Sequence, residues 1–240
     1  MNDGCTVAIV GAGMVGDRLV AELRRMEFPI KDLRILARSA RRSTLAGEEF
    51  DVGVAEPEAF EGVDCACFAG TEGEKGAAVQ LAQEAISRGA IVIDNGSDFR
   101  MDPDVPLVVP EVNADALEGH NGLIANANCS TSQMVVTLAP LAREFGLRKV
   151  VVSTYQAVSG SGRGGVDALE NGREDVYPKP ILGNAIPLIG GVGDDGYTSE
   201  ETKMREESRK ILGLPDLEIF ATTVRIPVHT GHSESIYVET

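Results

Sequence analysis

The chain has 240 residues, 43% of them apolar and 25% charged, which is the balance of a globular protein with a sizeable core. Its 37 acidic and 22 basic side chains give a formal charge of −15, which disfavours nucleic acid as a partner. The longest apolar run, Val7–Gly16, is too short to cross a bilayer. Four cysteines without a disulfide framework, and no evident signal sequence, predict a cytoplasmic protein without membrane partners.

The first half of the chain alternates short apolar runs with helical patterns. The predicted strands are Thr6–Val10, Leu33–Ala37, Asp64–Ala69 and Ile91–Asp94, and the predicted helices are Val15–Met26 and Gly76–Arg88. Buried strands that alternate with helices favour parallel pairing, because each connection must cross over the sheet. We therefore predict an α/β domain with a doubly wound, Rossmann-like parallel sheet over residues 1–128.

The second half has longer strands and a stretch rich in glycine and proline. The predicted elements are a helix at Ser132–Phe145 with Pro140 inside it, strands at Lys149–Ala157, Glu218–Val228 and Ser233–Glu239, irregular chain at Gly160–Gly196, and a helix at Thr198–Leu212. Thr198 and Glu201 fit a capping box, and Gly213 ends that helix. These patterns predict an α+β domain over residues 129–240, with antiparallel later strands.

A glycine-rich turn, Gly11-Ala-Gly-Met-Val-Gly16, follows the first predicted strand and opens the first helix. In this context Gly11 permits the tight turn, Gly13 lets a pyrophosphate approach the backbone, and Gly16 lets the helix pack on the sheet. A merely tight strand–helix turn is the alternative. Nucleotide binding is the better interpretation, because the motif stands between a strand and a helix.

The end of the second predicted strand indicates which dinucleotide is bound. An NAD site usually has an acidic residue here, whereas this chain has Arg38, Ser39, Arg41 and Arg42. Guanidinium groups suit a 2′-phosphate, so the sequence favours NADP as cofactor. An exposed basic loop is the alternative for Arg41 and Arg42.

The most informative segment is Asn126-Ala-Asn-Cys-Ser-Thr131, which places Cys129 just before a helix. A thiol at a helix N-terminus faces N–H groups and the positive end of the dipole, so we expect its pKa to fall. A small buried hydrophobic residue is the alternative. The polar neighbours favour a nucleophile instead.

A thiolate nucleophile needs a proton-transfer partner, and the chain has three histidines. His120 lies in a polar turn, and His229 and His232 lie three residues apart. That spacing sends the last two to opposite faces of an extended segment, which argues against a shared metal ion. Either one could be the acid/base, and the pattern does not choose between them.

Several further polar side chains are candidates for a site. Arg225 interrupts an apolar strand and therefore needs an anionic partner, either an internal carboxylate or a substrate. Arg100 follows a strand, at the end of a sheet where ligands bind. Gln156 and Lys203 complete the set. For each of these residues, the sequence fits a structural role as well as a functional one.

Long motifs in a fixed order resemble the aspartate-β-semialdehyde dehydrogenase family over essentially the whole chain. They are the glycine-rich turn, Asp94-Asn-Gly-Ser-Asp-Phe-Arg100, Val109-Pro-Glu-Val-Asn113, Asn126-Ala-Asn-Cys-Ser-Thr131, Ser153-Thr-Tyr-Gln-Ala-Val-Ser-Gly160, Tyr197-Thr-Ser-Glu-Glu-Thr-Lys203 and Arg225-Ile-Pro-Val-His-Thr-Gly-His-Ser233. Ala127 stands where the family often has proline.

The resemblance implies a role for each motif residue. Cys129 matches the nucleophile that carries an acyl thioester, His232 the acid/base, and Gln156 the residue that positions the intermediate. Arg225 resembles the clamp for the substrate's α-carboxylate and Glu200 the partner of its amino group. Phosphate or acyl phosphate is implied at Arg100, Lys203 and Asn128, and NADP at Gly11, Gly13, Met14, Val15, Gly16, Arg38, Ser39, Ser159 and Gly160.

The implied reaction is the NADPH-dependent conversion of 4-phospho-L-aspartate to L-aspartate 4-semialdehyde and phosphate, in the biosynthesis of lysine, diaminopimelate, threonine and methionine. The alternatives are a related reductase of N-acetylglutamyl phosphate or of a CoA thioester, and an inactive NADP-binding fragment. A homodimer is also implied. Family chains continue beyond the strand after the histidine, so the resemblance implies a truncated chain, with an unpaired sheet edge near residues 233–240 and marginal stability.

Overall fold

The computed structural model describes residues 4–70 and 73–240. The chain divides into two compact units. Unit 1 comprises the described residues up to Val108 together with Asp115–Asn126, and unit 2 comprises Val109–Ala114 and Ala127–Thr240. No helix of the described residues is both long and apolar enough to cross a bilayer.

Unit 1 is built on one eight-stranded sheet. Its strands are β1 (Cys5–Val10), β2 (Ile30–Ala37), β3 (Arg41–Leu45), β4 (Glu48–Val54), β5 (Cys65–Phe68), β6 (Ile91–Asp94), β7 (Leu107–Val108) and β8 (Leu123–Asn126), in the spatial order β3-β4-β2-β1-β5-β6-β8-β7. Every neighbouring pair is parallel except the β3–β4 hairpin. The predicted parallel α/β fold is therefore confirmed, with a hairpin added at one edge.

Two helices, α1 (Met14–Arg25) and α2 (Ala77–Ser87), provide crossovers of this sheet. Helix α1 buries Gly16 and Val20. Val20 joins an apolar core cluster with side chains of β1, β2, β3 and β4, namely Val7, Ile9, Ile35, Leu45 and Val52. The near-continuous burial of β1 explains why its sequence shows an apolar run and no alternation.

Unit 2 contains a three-stranded sheet and four helices among the described residues. The elements are α3 (Pro110–Asn113), α4 (Cys129–Phe145), β9 (Lys149–Gln156), α5 (Gly162–Asn171), α6 (Ser199–Leu212), β10 (Glu218–Arg225) and β11 (Ser233–Glu239), with the strand order β10-β9-β11. Strand β10 is parallel to β9 and β11 is antiparallel. The expectation of antiparallel later strands is thus wrong for β10, because α6 forms a crossover before it.

The boundaries of α4 and α6 follow from their caps. Helix α4 begins at Cys129, three residues earlier than predicted, because the side chain of Asn128 accepts hydrogen bonds from two backbone N–H groups of its first turn. Helix α6 has the predicted capping box between Thr198 and Glu201, and Gly213 ends it in the left-handed conformation.

The two faces of the three-stranded sheet differ sharply. One face packs against α4 and α6 through Met134, Leu138, Val150, Val152, Met204, Ile219 and Ala221. On the other face, Val151, Tyr155, Phe220 and Tyr237 are all exposed. Strand β11 lies at an edge of this sheet. The carboxyl ends of β9 and β10 meet, with Gln156 opposite Arg225.

Candidate active site

The glycine-rich turn of unit 1 has the geometry that its three glycines predict. Gly11 has a φ of +125°, and a Cβ there would lie 2.6 Å from the carbonyl oxygen of Ala69. A Cβ on Gly16 would overlap the carbonyl oxygen of Gly11, whereas one on Gly13 would meet no atom within 4 Å. Two glycines are therefore needed for packing, and the third leaves open space before the N-terminus of α1.

This turn borders a cleft of about 500 Å³. The other lining residues include Arg38, Ser39 and Arg41 after β2, and Lys75 and Gln80 around the start of α2. None of the described residues that line the cleft is acidic. A 2′-phosphate would fit this cationic end, where an NAD site would hold a carboxylate.

The cations around the cleft divide into two groups. Arg41 lines it, whereas the exposed Arg42 pairs with Asp51 of β4 at 3.1 Å. The hairpin explains this division, because neighbouring residues of a strand point to opposite faces. Lys75 was missed by the sequence analysis. Its only local signal is its place just before α2.

In unit 2, the first residue of α4 is Cys129, whose thiol is exposed. Its Sγ lies 3.3 Å from Nε2 of the half-buried His232. His229 instead forms an exposed pair with Glu170, with 3.0 Å between Nε2 and Oε1. The structure therefore brings Cys129 together with the histidine that the family resemblance singled out.

The electrostatics of this pair differ from the expectation. The pKa of the Cys129 thiol is raised, chiefly by the protein atoms that crowd it and then by the charge of Glu200, and the Ser130 N–H and Arg225 oppose this only in part. The prediction of a lowered thiol pKa is thus wrong. Burial and the charge of Arg225 lower the pKa of His232.

Beneath the thiol lies a buried network of polar side chains. The carboxylate Oε1 of Glu200 accepts hydrogen bonds from Asn128 Nδ2 at 3.0 Å and from Gln156 Nε2 at 3.2 Å. Asn128 uses its Oδ1 to cap α4. Its side chain is thus engaged within the protein, so its contact with phosphate stays a prediction.

A second carboxylate of α6 completes this network and was missed by the sequence analysis. Glu207 is only 1% exposed, and its Oε2 accepts the backbone N–H of Asn128 at 2.7 Å. It therefore fixes the residue that precedes the nucleophile. Its sequence signal is its spacing from Glu200 and Met204, which places an acidic residue on the buried face of the helix.

Arg225 ends β10 with its side chain 5% exposed. Its Nη1 donates to the carbonyl of Ala157 at 2.5 Å, while its Nε has no partner. No carboxylate of the described residues forms a salt bridge with it. Because a buried guanidinium without a counter-charge is costly, this arrangement is typical of a site for an anionic ligand.

Two neighbouring features shape the space around Arg225. A Cβ on Gly160 would lie 2.8 Å from Nη1, so a side chain there would displace the guanidinium from its present position. A cavity of about 240 Å³ adjoins the guanidinium, lined also by Ser161, Tyr177 and Gly190. The cavity offers hydroxyl groups and a cation, which suits a small polar molecule.

The remaining predicted residues are distributed over both units. Arg100 is buried in unit 1, where Nε donates to the carbonyl of Asn126 and Nη2 to that of Asn95, both at 2.9 Å. Lys203 lies on α6, one turn after Glu200. Ser159 belongs to unit 2, so its contact with the cofactor stays a prediction, as does that of Gly160.

Known proteins match the chain along nearly all of its length. A family model described as the NAD-binding domain of semialdehyde dehydrogenase matches residues 6–120, and one described as the dimerisation domain of the same family matches residues 138–240. The aspartate-semialdehyde dehydrogenase of Bacillus subtilis is 48% identical over 262 aligned positions, which cover 100% of this chain and 74% of that protein.

Solved structures give the same result. The crystal structure of aspartate-semialdehyde dehydrogenase II from Vibrio cholerae superposes with a TM-score of 0.91 at 39% identity, covering 99% of this chain and 75% of that one. A structure of that protein in complex with ASA gives a TM-score of 0.91 at 38% identity, covering 98% and 74%.

Proposed function

Because the chain belongs to the semialdehyde dehydrogenase family, as its motifs predicted, we propose that it interconverts 4-phospho-L-aspartate and L-aspartate 4-semialdehyde with NADP(H). The observation that carries this proposal is the Cys129–His232 pair, whose pKa values both respond to the unpaired charge of Arg225. A nucleophile, a hydrogen donor and a carboxylate clamp are thus grouped in one unit.

In the biosynthetic direction, the thiolate of Cys129 attacks the carbonyl carbon of the acyl phosphate. A carbon–sulfur bond forms, the carbon–oxygen bond to phosphate breaks, and phosphate leaves with the electron pair. His232 presents a hydrogen to the oxyanion from the side of the thiol. Arg100 and Lys203 are the cations that we assign to the departing phosphate, on the basis of the family resemblance alone.

Substrate recognition rests on Arg225 and Glu200. The guanidinium binds the α-carboxylate of the aspartyl group and gains the counter-charge that it lacks within the described part of the chain. Glu200 faces the amino group, and its Oε1 is already oriented by Asn128 and Gln156. A substrate with both an α-carboxylate and an α-amino group therefore fits better than N-acetylglutamyl phosphate, whose nitrogen is acylated and uncharged.

The residues of unit 1 fit NADP. Gly13 leaves room for the pyrophosphate at the N-terminus of α1, and Arg38, Ser39 and Arg41 suit the 2′-phosphate. When bound, the reduced cofactor supplies the hydride that converts the thioester to the aldehyde. Lys75 adds a third cation to the lining of the cleft.

We also propose a homodimer that buries the exposed face of the three-stranded sheet. Residues 138–240 match the family's dimerisation domain, and all three strands of this face lie within that range. Val151, Tyr155, Phe220 and Tyr237 give the face an apolar character that a second copy would cover. Sedimentation velocity on the chain measures this directly, and a monomer at micromolar concentration would contradict it.

The reaction is tested by following NADPH formation from aspartate semialdehyde, phosphate and NADP with the Cys129→Ala variant. We expect turnover to be abolished and the affinity for NADP to stay within about twofold, because unit 1 is unchanged. Cys5→Ala is the matched control, since that thiol lies on β1 and should leave activity intact. Near-normal turnover of Cys129→Ala would overturn the mechanism. The substrate assignment is tested separately, by measuring turnover with N-acetylglutamyl phosphate and with acyl-CoA.

A further inference from the structure

The imidazole of His232 contacts a different group at each ring nitrogen. The backbone N–H of Ala157 donates to Nδ1 at 3.0 Å, and Nε2 lies 3.3 Å from the sulfur of Cys129. A backbone amide can only donate a hydrogen bond, so Nδ1 must present its lone pair. A neutral ring with this arrangement carries its hydrogen on Nε2, directed at the thiol.

The peptide group that contacts Nδ1 is itself held in place. Ala157 is fully buried directly after β9, the central strand of the sheet. The carbonyl of this peptide group is that of Gln156, and it accepts a hydrogen bond from the backbone N–H of Ile226 at 2.9 Å. Turning this peptide to free Nδ1 would break that bond and leave two buried backbone groups unpaired, which is costly.

The charges around the ring also oppose a second proton. Cys129 faces His232 from α4, Arg225 acts from β10 and Glu200 from α6. Burial and the guanidinium favour the neutral imidazole, while Glu200 and the backbone of Gly231 oppose them in part. A proton on Nδ1 would moreover direct two N–H groups at one another.

We propose that His232 acts as a fixed Nε2–H donor, with the Ala157 amide setting its tautomer, and that it does not remove the proton of Cys129. This inference rests on the function proposed above and narrows the acid/base role that the resemblance implies. The S–H bond of Cys129 breaks with transfer of its proton to water. The thiolate, and then the oxyanion of the acyl intermediate, accepts a hydrogen bond from Nε2, and the ring keeps its hydrogen throughout.

The tautomer can be read directly by ¹⁵N NMR of the protein labelled at histidine. The chain has only three histidines, and the double variant His120→Gln/His229→Gln leaves His232 as the single signal. We expect a hydrogen bonded to Nε2 and none on Nδ1 at every pH from about 6 to 9. A hydrogen on Nδ1 at neutral pH, alone or together with one on Nε2, would overturn the proposal.

Kinetics provide a second, independent test. Glutamine at position 232 can donate from its amide nitrogen to Cys129 and accept from Ala157 N–H, but it cannot act as a base. We expect kcat to fall by roughly 100- to 1,000-fold in His232→Ala and to recover at least about tenfold in His232→Gln.

Equal loss in both variants would contradict the donor role. Failure of the wild-type chain to turn over aspartate semialdehyde would instead contradict the proposed function, and it would leave the NMR result unaffected. The two hypotheses can therefore fail separately.

Discussion

The cleft of unit 1 and the thiol site of unit 2 are constructed in opposite ways. The cleft depends on glycines, which have no side chain: Gly11 and Gly16 allow close backbone approach, and Gly13 leaves open space. The thiol site depends on side chains that are buried, namely Asn128, Gln156, Glu200, Glu207 and Arg225, each at most 7% exposed. One site is shaped by backbone geometry and the other by a network of hydrogen bonds and charges.

This difference determines how each site should respond to substitution. In the cleft, the same change from glycine to alanine has different effects at neighbouring positions, depending on whether the space is filled. In the thiol site, removing a polar group alters its partners as well, so function and stability can move in opposite directions. Two experiments test this contrast, and a third concerns a half-buried carboxylate outside both sites. They follow in order of decreasing effect.

The largest effect is expected for Arg225→Leu. Loss of the guanidinium should lower kcat/KM for aspartate semialdehyde on the order of 1,000-fold, or about 4 kcal/mol. Thermal stability should stay constant or rise, because the variant no longer buries a charge without a counter-ion. Steady-state kinetics and thermal denaturation measure the two quantities.

Arg209→Leu is the matched control for that experiment. Its guanidinium also donates to a carbonyl, that of Leu217, but it has a carboxylate partner in Glu206. We expect Arg209→Leu to lose stability and keep kcat/KM. If Arg225→Leu were strongly destabilised instead, Arg225 would serve the fold of unit 2 and its assignment to the substrate would fail.

The glycine-rich turn provides a matched pair with a smaller effect. Gly16→Ala should lower the free energy of unfolding by about 1–3 kcal/mol, because its methyl group would overlap the carbonyl of Gly11. Gly13 has a φ of −97°, and a Cβ there would meet no atom within 4 Å. Gly13→Ala should therefore leave the free energy of unfolding unchanged. Its affinity for NADP should nevertheless fall about tenfold or more, because the methyl group occupies the space open to the pyrophosphate.

Urea denaturation and fluorescence titration with NADP distinguish these two glycines. Tight binding of NADP by Gly13→Ala would show that the cofactor does not approach this part of the turn. Unchanged stability of Gly16→Ala would show that α1 can shift away from β1 without cost.

The smallest effect concerns Glu234, on the inner face of β11 opposite Thr154. Burial raises the pKa of Glu234 to about 7, and its Oε1 has no partner. The folded protein therefore keeps a proton that the unfolded chain releases near pH 4.5, so this group lowers stability as pH rises from about 4.5 to 7. Above pH 7 the loss of stability caused by ionised Glu234 is complete and no longer changes with pH.

Glu234→Gln removes that cost. Its melting temperature should match the wild type near pH 4.5 and exceed it by about 2–4 °C at pH 8, or about 1 kcal/mol after allowance for solvent screening. Glu118→Gln, at an exposed carboxylate, serves as the control. An equal effect of Glu234→Gln at both pH values would mean that ionisation of Glu234 is not responsible.

Local signals were sufficient for much of the fold. The capping box of Thr198 and Glu201 and the apolar run of β1 depend on neighbours in sequence, so both elements were predicted close to their observed bounds. The β3–β4 hairpin was missed because its strands are mostly polar and its turn places Ala46 at a φ of +50°. Alanine rarely adopts that conformation, so Gly47, at a φ of +81°, is the single turn signal between the two strands.

The thiol site was predicted less completely, for a related reason. The residue types at Cys129 and Arg225 indicated chemistry, and the family resemblance selected His232 where the local pattern left two histidines open. The buried Glu207 and the direction of the thiol pKa depend on distant elements. The helix N-terminus predicted a lowered pKa, and crowding together with Glu200 outweighs it. Pairwise contacts across more than 70 residues, such as that between Asn128 and Glu207, leave no local pattern.

The raised pKa of Cys129 has a consequence for the survival of the protein. Peroxides and other adventitious oxidants react with thiolates far faster than with thiols. A nucleophile that is kept mostly protonated is slow at neutral pH, but it is also protected from sulfenic and sulfinic acid formation while no substrate is bound. We therefore expect crowding to make this exposed thiol less sensitive to oxidation than its place at a helix N-terminus alone would imply.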